Sequence, residues 1–310
     1  MTDIHEYKLN GSNSMSIAPG WGCNMFSWVA NGKELMFCPP DLPQTAQKIT
    51  GGGNPLLFPS VGRTWDLSGP EPVPGNYRIY GDDRTYFMPS HGVLFLSEFR
   101  RVFEKRSSEG IVATYESRIS DKVREENYPF DLSFRQSYML KLGKVELESV
   151  IKNHDTRPTP CAFGYHPYFA ISNPQREGVK VRLPVTKELM MTTDTILPTG
   201  DTQPADDTYN LLDGIYYDRV FAGRNGNMMS LIDRRAGHTI DVHIGEWSEL
   251  FLIYSPGGSD FVCIEPWTCG LGAFGHLNEP GWEDGRLIPV IAPGEKVSYG
   301  AVFIVSEGAG

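Results

Sequence analysis

A chain of 310 residues, 40% of them hydrophobic, can bury a large core, and its length lies between one big all-β domain and two ordinary ones. The formal net charge of -10 and a pI near 5.2 argue against a phosphate-backbone partner, which would demand a clustered basic face, so nucleic acid is not expected. The opening MTDIHEYKLN has neither a basic n-region nor an apolar h-region, and no long apolar run follows; the expectation is a cytoplasmic protein with no membrane partner.

Taken in order, Asn24 to Phe37 reads as a hairpin, because Asn31-Gly32 supplies the positive φ angles of a tight two-residue turn. The CPPDLPQTAQK stretch after it is a proline-punctuated loop. Gly51 to Asp66, GGGNPLLFPSVGRTWD, is glycine-rich but lacks the Gly-Lys-Ser/Thr ending and following helix of a phosphate loop, so it reads as a turn at a strand edge. Pro70 to Pro89 has no period and is expected to be a long surface loop forming one wall of a cleft. HGVLFLSEFRRVFEK and IVATYESRI then form a strand pair across the turn Arg106 to Gly110. Period-two alternation follows from Phe130 to Arg135 and resumes after Gly143, marking strands with one wet face.

In CAFGYHPYFAI, Phe163, Tyr165 and Phe169 alternate against Gly164, His166 and Tyr168, and Pro167 implies an edge or a bulge. Strands are expected around Asp218, in DRRAGHTIDVHIG and LFLIYSPG, and in the final RLIPVIAPGEKVSYGAVFIV. In FVCIEPWT, Phe261, Cys263, Glu265 and Trp267 share one face, which sets a carboxylate among aromatics and pushes its pKa up toward the range of a general base. The plain alternative is a glutamate paired with an arginine at a strand end. No helical stretch of about twelve residues and no repeat is visible. The fold class is therefore all-β, one large sandwich rather than two domains, with residues 1–310 as one domain.

Cys23, Cys38, Cys161, Cys263 and Cys269 are odd in number and scattered, without a CxxC pair, and read as reduced packed thiols; no metal-ligand spacing surrounds Cys263. Five of the seven histidines, His5, His154, His238, His243 and His276, lie in polar or turn-rich sequence, where surface or hydrogen-bonding roles are the default. His91 and His166 sit instead in apolar or aromatic stretches beside Gly or Pro.

The motifs GGGNPLLFPSVGR, SHGVLF, FGYHPYF, YYDRVF and CIEPWT, in that order, resemble the aldose 1-epimerase (galactose mutarotase) family over most of the chain. The resemblance implies a large antiparallel β-sandwich of the galactose mutarotase type that binds a pyranose in an open concave cleft. It implies Glu265 as the base that takes the anomeric hydroxyl proton and His166 as the acid that protonates the ring oxygen. His91 would hold ring hydroxyls, Asp218 would bond a sugar hydroxyl, and Arg63 matches an arginine after the glycine-rich strand. The implied partner is a monosaccharide, the implied assembly a monomer or homodimer, and the chemistry requires no metal or organic cofactor.

Where free-aldose members often have Asn-Arg, this chain has Gly62-Arg63. It also lacks the arginine that hexose-6-phosphate mutarotases of the same fold carry after the HG histidine, although Arg63, Arg84 and Arg219 offer an alternative anion site. A two-histidine, one-carboxylate metal site from His91, His166 and Glu265 is a competing reading, disfavoured because no HxH or HxD spacing is present. A carbohydrate-binding protein without turnover is another, against which stands the retention of both an acid and a base.

Overall fold

The computed structural model describes residues 3–42, 50–172 and 175–307. The Pro43 to Lys48 part of the expected proline-punctuated loop lies outside them. Two antiparallel sheets dominate, one of nine strands and one of eight. In the nine-stranded sheet Leu132–Lys141 turns tightly into Lys144–Asn153 through Gly143, whose φ of 61° suits a residue without Cβ. Leu132, Phe134, Tyr138 and Leu140 are buried while Ser133, Ser137 and Lys141 stay wetter, as the alternation requires. Asn24–Ala30 pairs with Lys33–Glu34 across Asn31-Gly32, the expected hairpin.

The aromatic alternation in FGYHPYF joins the two sheets. Phe163 stacks on Tyr299 at 4.7 Å between centroids, Phe169 meets Phe303 edge-on at 5.4 Å, and the Tyr165 hydroxyl donates to the Tyr299 carbonyl at 3.0 Å. Each ring buried there is worth roughly 1.5–3 kcal/mol. His166 and Tyr168 are turned the opposite way, onto the outer face of the eight-stranded sheet.

Pro167 neither makes this segment an edge nor inserts a bulge. Gly164 pairs with Trp267 and Tyr168 with Cys263, so the register is the same on both sides of the proline and His166 lies opposite Glu265. Gly164–Tyr165 is an interior strand, flanked by Leu56–Leu57 as well as by Phe261–Trp267. The proline interrupts hydrogen bonding without shifting the strand.

Two other expectations are corrected. Pro70 to Pro89 contains paired strands, Asn76–Arg78 with Thr85–Phe87, whose Tyr77 and Tyr86 are buried; Tyr77 packs edge-on against Phe274 at 5.1 Å, and the segment is not part of the lining of the cleft around Glu265. The apolar run after His91 is not yet strand. It forms a 3-10 turn, Leu94–Leu96, and the strand starts at Arg100. The α-helix Asp121–Glu126 is capped by the Ser120 side chain, and among the described residues no helix is long and apolar enough to cross a membrane.

Candidate active site

Adjacent strands of the eight-stranded sheet lay two rows of side chains across its outer face. Val220, Leu252, Glu265 and His166 form one row; Asp218, Tyr254, Cys263 and Tyr168 form the next. Over these rows loops bring Arg63, Ser90, His91, Tyr216 and Leu271, enclosing a cleft of about 220 Å³. All five expected site residues, Glu265, His166, His91, Asp218 and Arg63, line it together.

Glu265 is buried, with Oε1 3.3 Å from His166 Nε2 and Oε2 accepting from the Trp267 indole at 3.1 Å. It has no arginine or lysine partner among the described residues, so the strand-end ion pair is not what is found. Burial, and then the nearby charge of Asp218, push its pKa well above the usual carboxylate range, while the Trp267 hydrogen bond opposes this. His166 is stacked on Tyr168, 4.7 Å between centroids; burial and then the neighbouring His91 hold it well below the usual imidazole value. Both members are thus driven toward their neutral forms, and the pair as a unit holds one proton.

His91 follows from a backbone device. Its ring Nδ1 accepts from the Gly62 N–H at 3.2 Å while the His91 backbone N–H donates to the Gly62 carbonyl at 2.8 Å. With Nδ1 accepting, the ring proton sits on Nε2. Burial, then the charge of Arg63, lower its pKa to about 4, so it is a neutral donor. A Cβ on Gly62, at φ +65°, would come within 2.6 Å of the Leu271 side chain, which accounts for glycine rather than a larger residue before Arg63. Gly92 is more tightly bound to its place: a Cβ there would lie 2.0 Å from the Phe58 carbonyl oxygen.

Asp218 accepts from the Tyr216 hydroxyl at 3.3 Å, and burial raises its pKa against the pull of that bond and of Arg63. Arg63 has no ion-pair partner among the described residues, leaving its guanidinium available to a ligand. The other two arginines of the expected anion site are elsewhere. Arg219 points to the opposite face, bidentate to Glu188 at 2.7 and 2.5 Å, and Arg84 is engaged with Tyr86 and Asp82.

The sequence also passed over Trp267, Tyr168, Tyr254 and Tyr216. The first two were signalled by alternation, sharing faces with Glu265 and His166; the loop residue Tyr216 carried no such signal. His238 departs from expectation: it is buried, and neither ring nitrogen has a partner among the described residues. A second groove, of about 990 Å³, crosses the outer face of the nine-stranded sheet, but there His154 is held by Ser133 and Glu116 by Arg135. Among the described residues that line it, no histidine is paired with a carboxylate as His166 is with Glu265.

Fold and site together define a β-sandwich with a buried carboxyl–imidazole pair in an open cleft. The chain belongs to the aldose 1-epimerase family, which matches residues 5–302. Among solved structures it is similar to a Synechocystis sp. PCC 6803 protein at 22% identity, with a TM-score of 0.81 over 99% of this chain and 96% of that one. A galactose mutarotase-like protein from Clostridium acetobutylicum has 16% identity and a TM-score of 0.77, covering 99% of both chains. The galactose 1-epimerase of Lactobacillus acidophilus NCFM has 13% identity and a TM-score of 0.70, again covering 99% of both. No curated protein matches the chain significantly.

Proposed function

We propose that the protein is a mutarotase that interconverts the α and β anomers of an uncharged aldose, with Glu265 as base and His166 as acid. The observation that carries this reading is the 3.3 Å contact between Glu265 and His166 on the floor of a cleft, with no competing cation on the carboxylate among the described residues. Opening a pyranose ring requires a proton to leave O1 while another reaches O5; rotation about C1–C2 and closure on the other face reverse both transfers. An acid and a base that together hold one proton accomplish this without net gain or loss, and each positioned transfer is worth roughly 10²- to 10⁴-fold.

In the reacting state the pair's proton is on His166 Nε2 and Glu265 is ionised. The raised affinity of Glu265 for a proton makes it a stronger base than a solvated carboxylate. His91, a neutral Nε2–H donor, bonds the sugar oxygens, Asp218 accepts from a hydroxyl, and Arg63 bonds from the rim. The apolar faces of Tyr168, Tyr254 and Trp267 suit the C–H faces of a pyranose. The cleft volume of about 220 Å³ is below the pockets that take drug-sized ligands, and suits one sugar ring.

The choice of an uncharged sugar rests on Arg63 being the one arginine or lysine lining the cleft among the described residues, against the two carboxyl groups of Asp218 and Glu265. A phosphate dianion would meet one cation and two acids. Coupled assays that follow anomerisation should show faster turnover of α-galactose or α-glucose than of glucose 6-phosphate, with kcat/KM lower by at least about 10-fold for the phosphate ester. Preference for the phosphate ester would replace this reading with the hexose-6-phosphate alternative.

A further inference from the structure

Cys263 is absent from the reaction just described, yet the strand that carries Glu265 places it two residues away on the same face, beside His166. One ligand atom from each of His166, Cys263 and Glu265 lies within 4.8 Å of the other two, and all three residues are buried. We infer that this trio is a binding site for a soft divalent cation, Zn²⁺ or its analogue Cd²⁺, whose occupancy excludes the sugar.

Thiolate, imidazole and carboxylate are the donors such an ion selects, and three protein ligands leave a fourth position toward the cleft for water. Bond lengths of about 2.0–2.3 Å set neighbouring ligand atoms of a tetrahedral site roughly 3.3–3.8 Å apart. His166 and Glu265 already stand 3.3 Å apart, and the Cys263 sulfur, within 4.8 Å of a ligand atom of each, has to move closer. A further feature favours an ion. The Trp267 indole bonds the far oxygen of Glu265 at 3.1 Å, fixing the carboxylate as outer-shell partners of metal ligands do. Binding displaces the thiol proton, and that of Glu265 where present, to solvent.

The site itself rests on this cluster alone; the inhibition rests on the proposed mutarotation. Cd²⁺ titrated into the sugar-free protein should produce a thiolate-to-cadmium absorbance band that saturates at one equivalent and is suppressed by high galactose. Cys263→Ser and Cys263→Ala should both lose the band, keep mutarotation within about 3-fold of wild type, and resist Zn²⁺ concentrations that inhibit the wild type. His166→Asn should weaken Cd²⁺ binding by at least about 10-fold, a second reading if the buried cysteine variants fold poorly. A band that persists in both Cys263 variants would put the ion on another thiol, such as the half-buried Cys38, and overturn the proposal. No band, or equal Zn²⁺ inhibition with and without Cys263, would overturn it too. Should the wild type turn over no sugar, the Cd²⁺ band and its dependence on Cys263 still decide the site.

Discussion

At the scale of single residues, the reactivity of Glu265 is a balance of three influences: burial and Asp218 raise its pKa, and the Trp267 indole lowers it. The reacting form is the pair holding one proton, with Glu265 ionised and His166 protonated, so activity falls on the acid side as the pair takes up a second proton and on the alkaline side as it loses the one it holds. Trp267→Phe removes a donor to the anion; the pKa rises further and the acid limb moves to higher pH. Asp218→Asn removes a neighbouring negative charge, so the limb moves to lower pH while KM increases through a weakened sugar contact. Profiles of kcat against pH for both variants check these opposite shifts, and shifts of the same sign would contradict them. Alternation made Glu265 and Trp267 neighbours on one face already in the sequence. That the indole bonds the carboxylate was not legible, since the period-two pattern gives a side and not a contact. Arg84 and Arg219 show the same limit, because their partners Asp82 and Glu188 lie in a loop and on another strand whose register no local signal carries.

At the scale of elements, the turn Ser90-His91-Gly92 sets the cleft's second histidine. His91 and Gly92 have φ of 66° and 91°, and the backbone passes so close to Phe58 that a side chain at Gly92 cannot fit. Gly92→Ala should therefore cost at least about 1–3 kcal/mol, read as a lowered thermal midpoint together with a raised KM from displaced His91. Gly81→Ala, at φ 81° but with nothing within 4 Å of its Cβ, should cost less; equal losses would mean that the clash with Phe58 is not what matters. The sequence marked this turn as unusual by setting a histidine and a glycine within an apolar run. It did not disclose the left-handed pair or the 3-10 turn after it, because this segment is held by backbone hydrogen bonds to Phe58, far away in the sequence. Pro167 misled for a related reason: a proline breaks a ladder locally, but the aromatic contacts of Tyr165 and Phe169 on either side hold the register.

At the scale of the molecule, the core-facing aromatics of one sheet and the cleft-facing residues of the same strands divide structural and chemical duties between two faces. Composition and alternation were enough to recognise a β-sandwich, and the ordered motifs were enough to imply its antiparallel type and to gather Glu265, His166, His91, Asp218 and Arg63. What they could not convey was the inter-strand register that brings Glu265 opposite His166. The central claim is that this pair performs the proton transfers. Polarimetry of freshly dissolved α-galactose and α-glucose, with wild type and Glu265→Gln compared at equal sugar occupancy by calorimetric titration, tests it most directly. The wild type should accelerate the approach to anomeric equilibrium, and the amide, which keeps the shape but not the base, should bind the sugar and lose at least about 10²-fold in turnover. Near-normal turnover by Glu265→Gln would contradict the account.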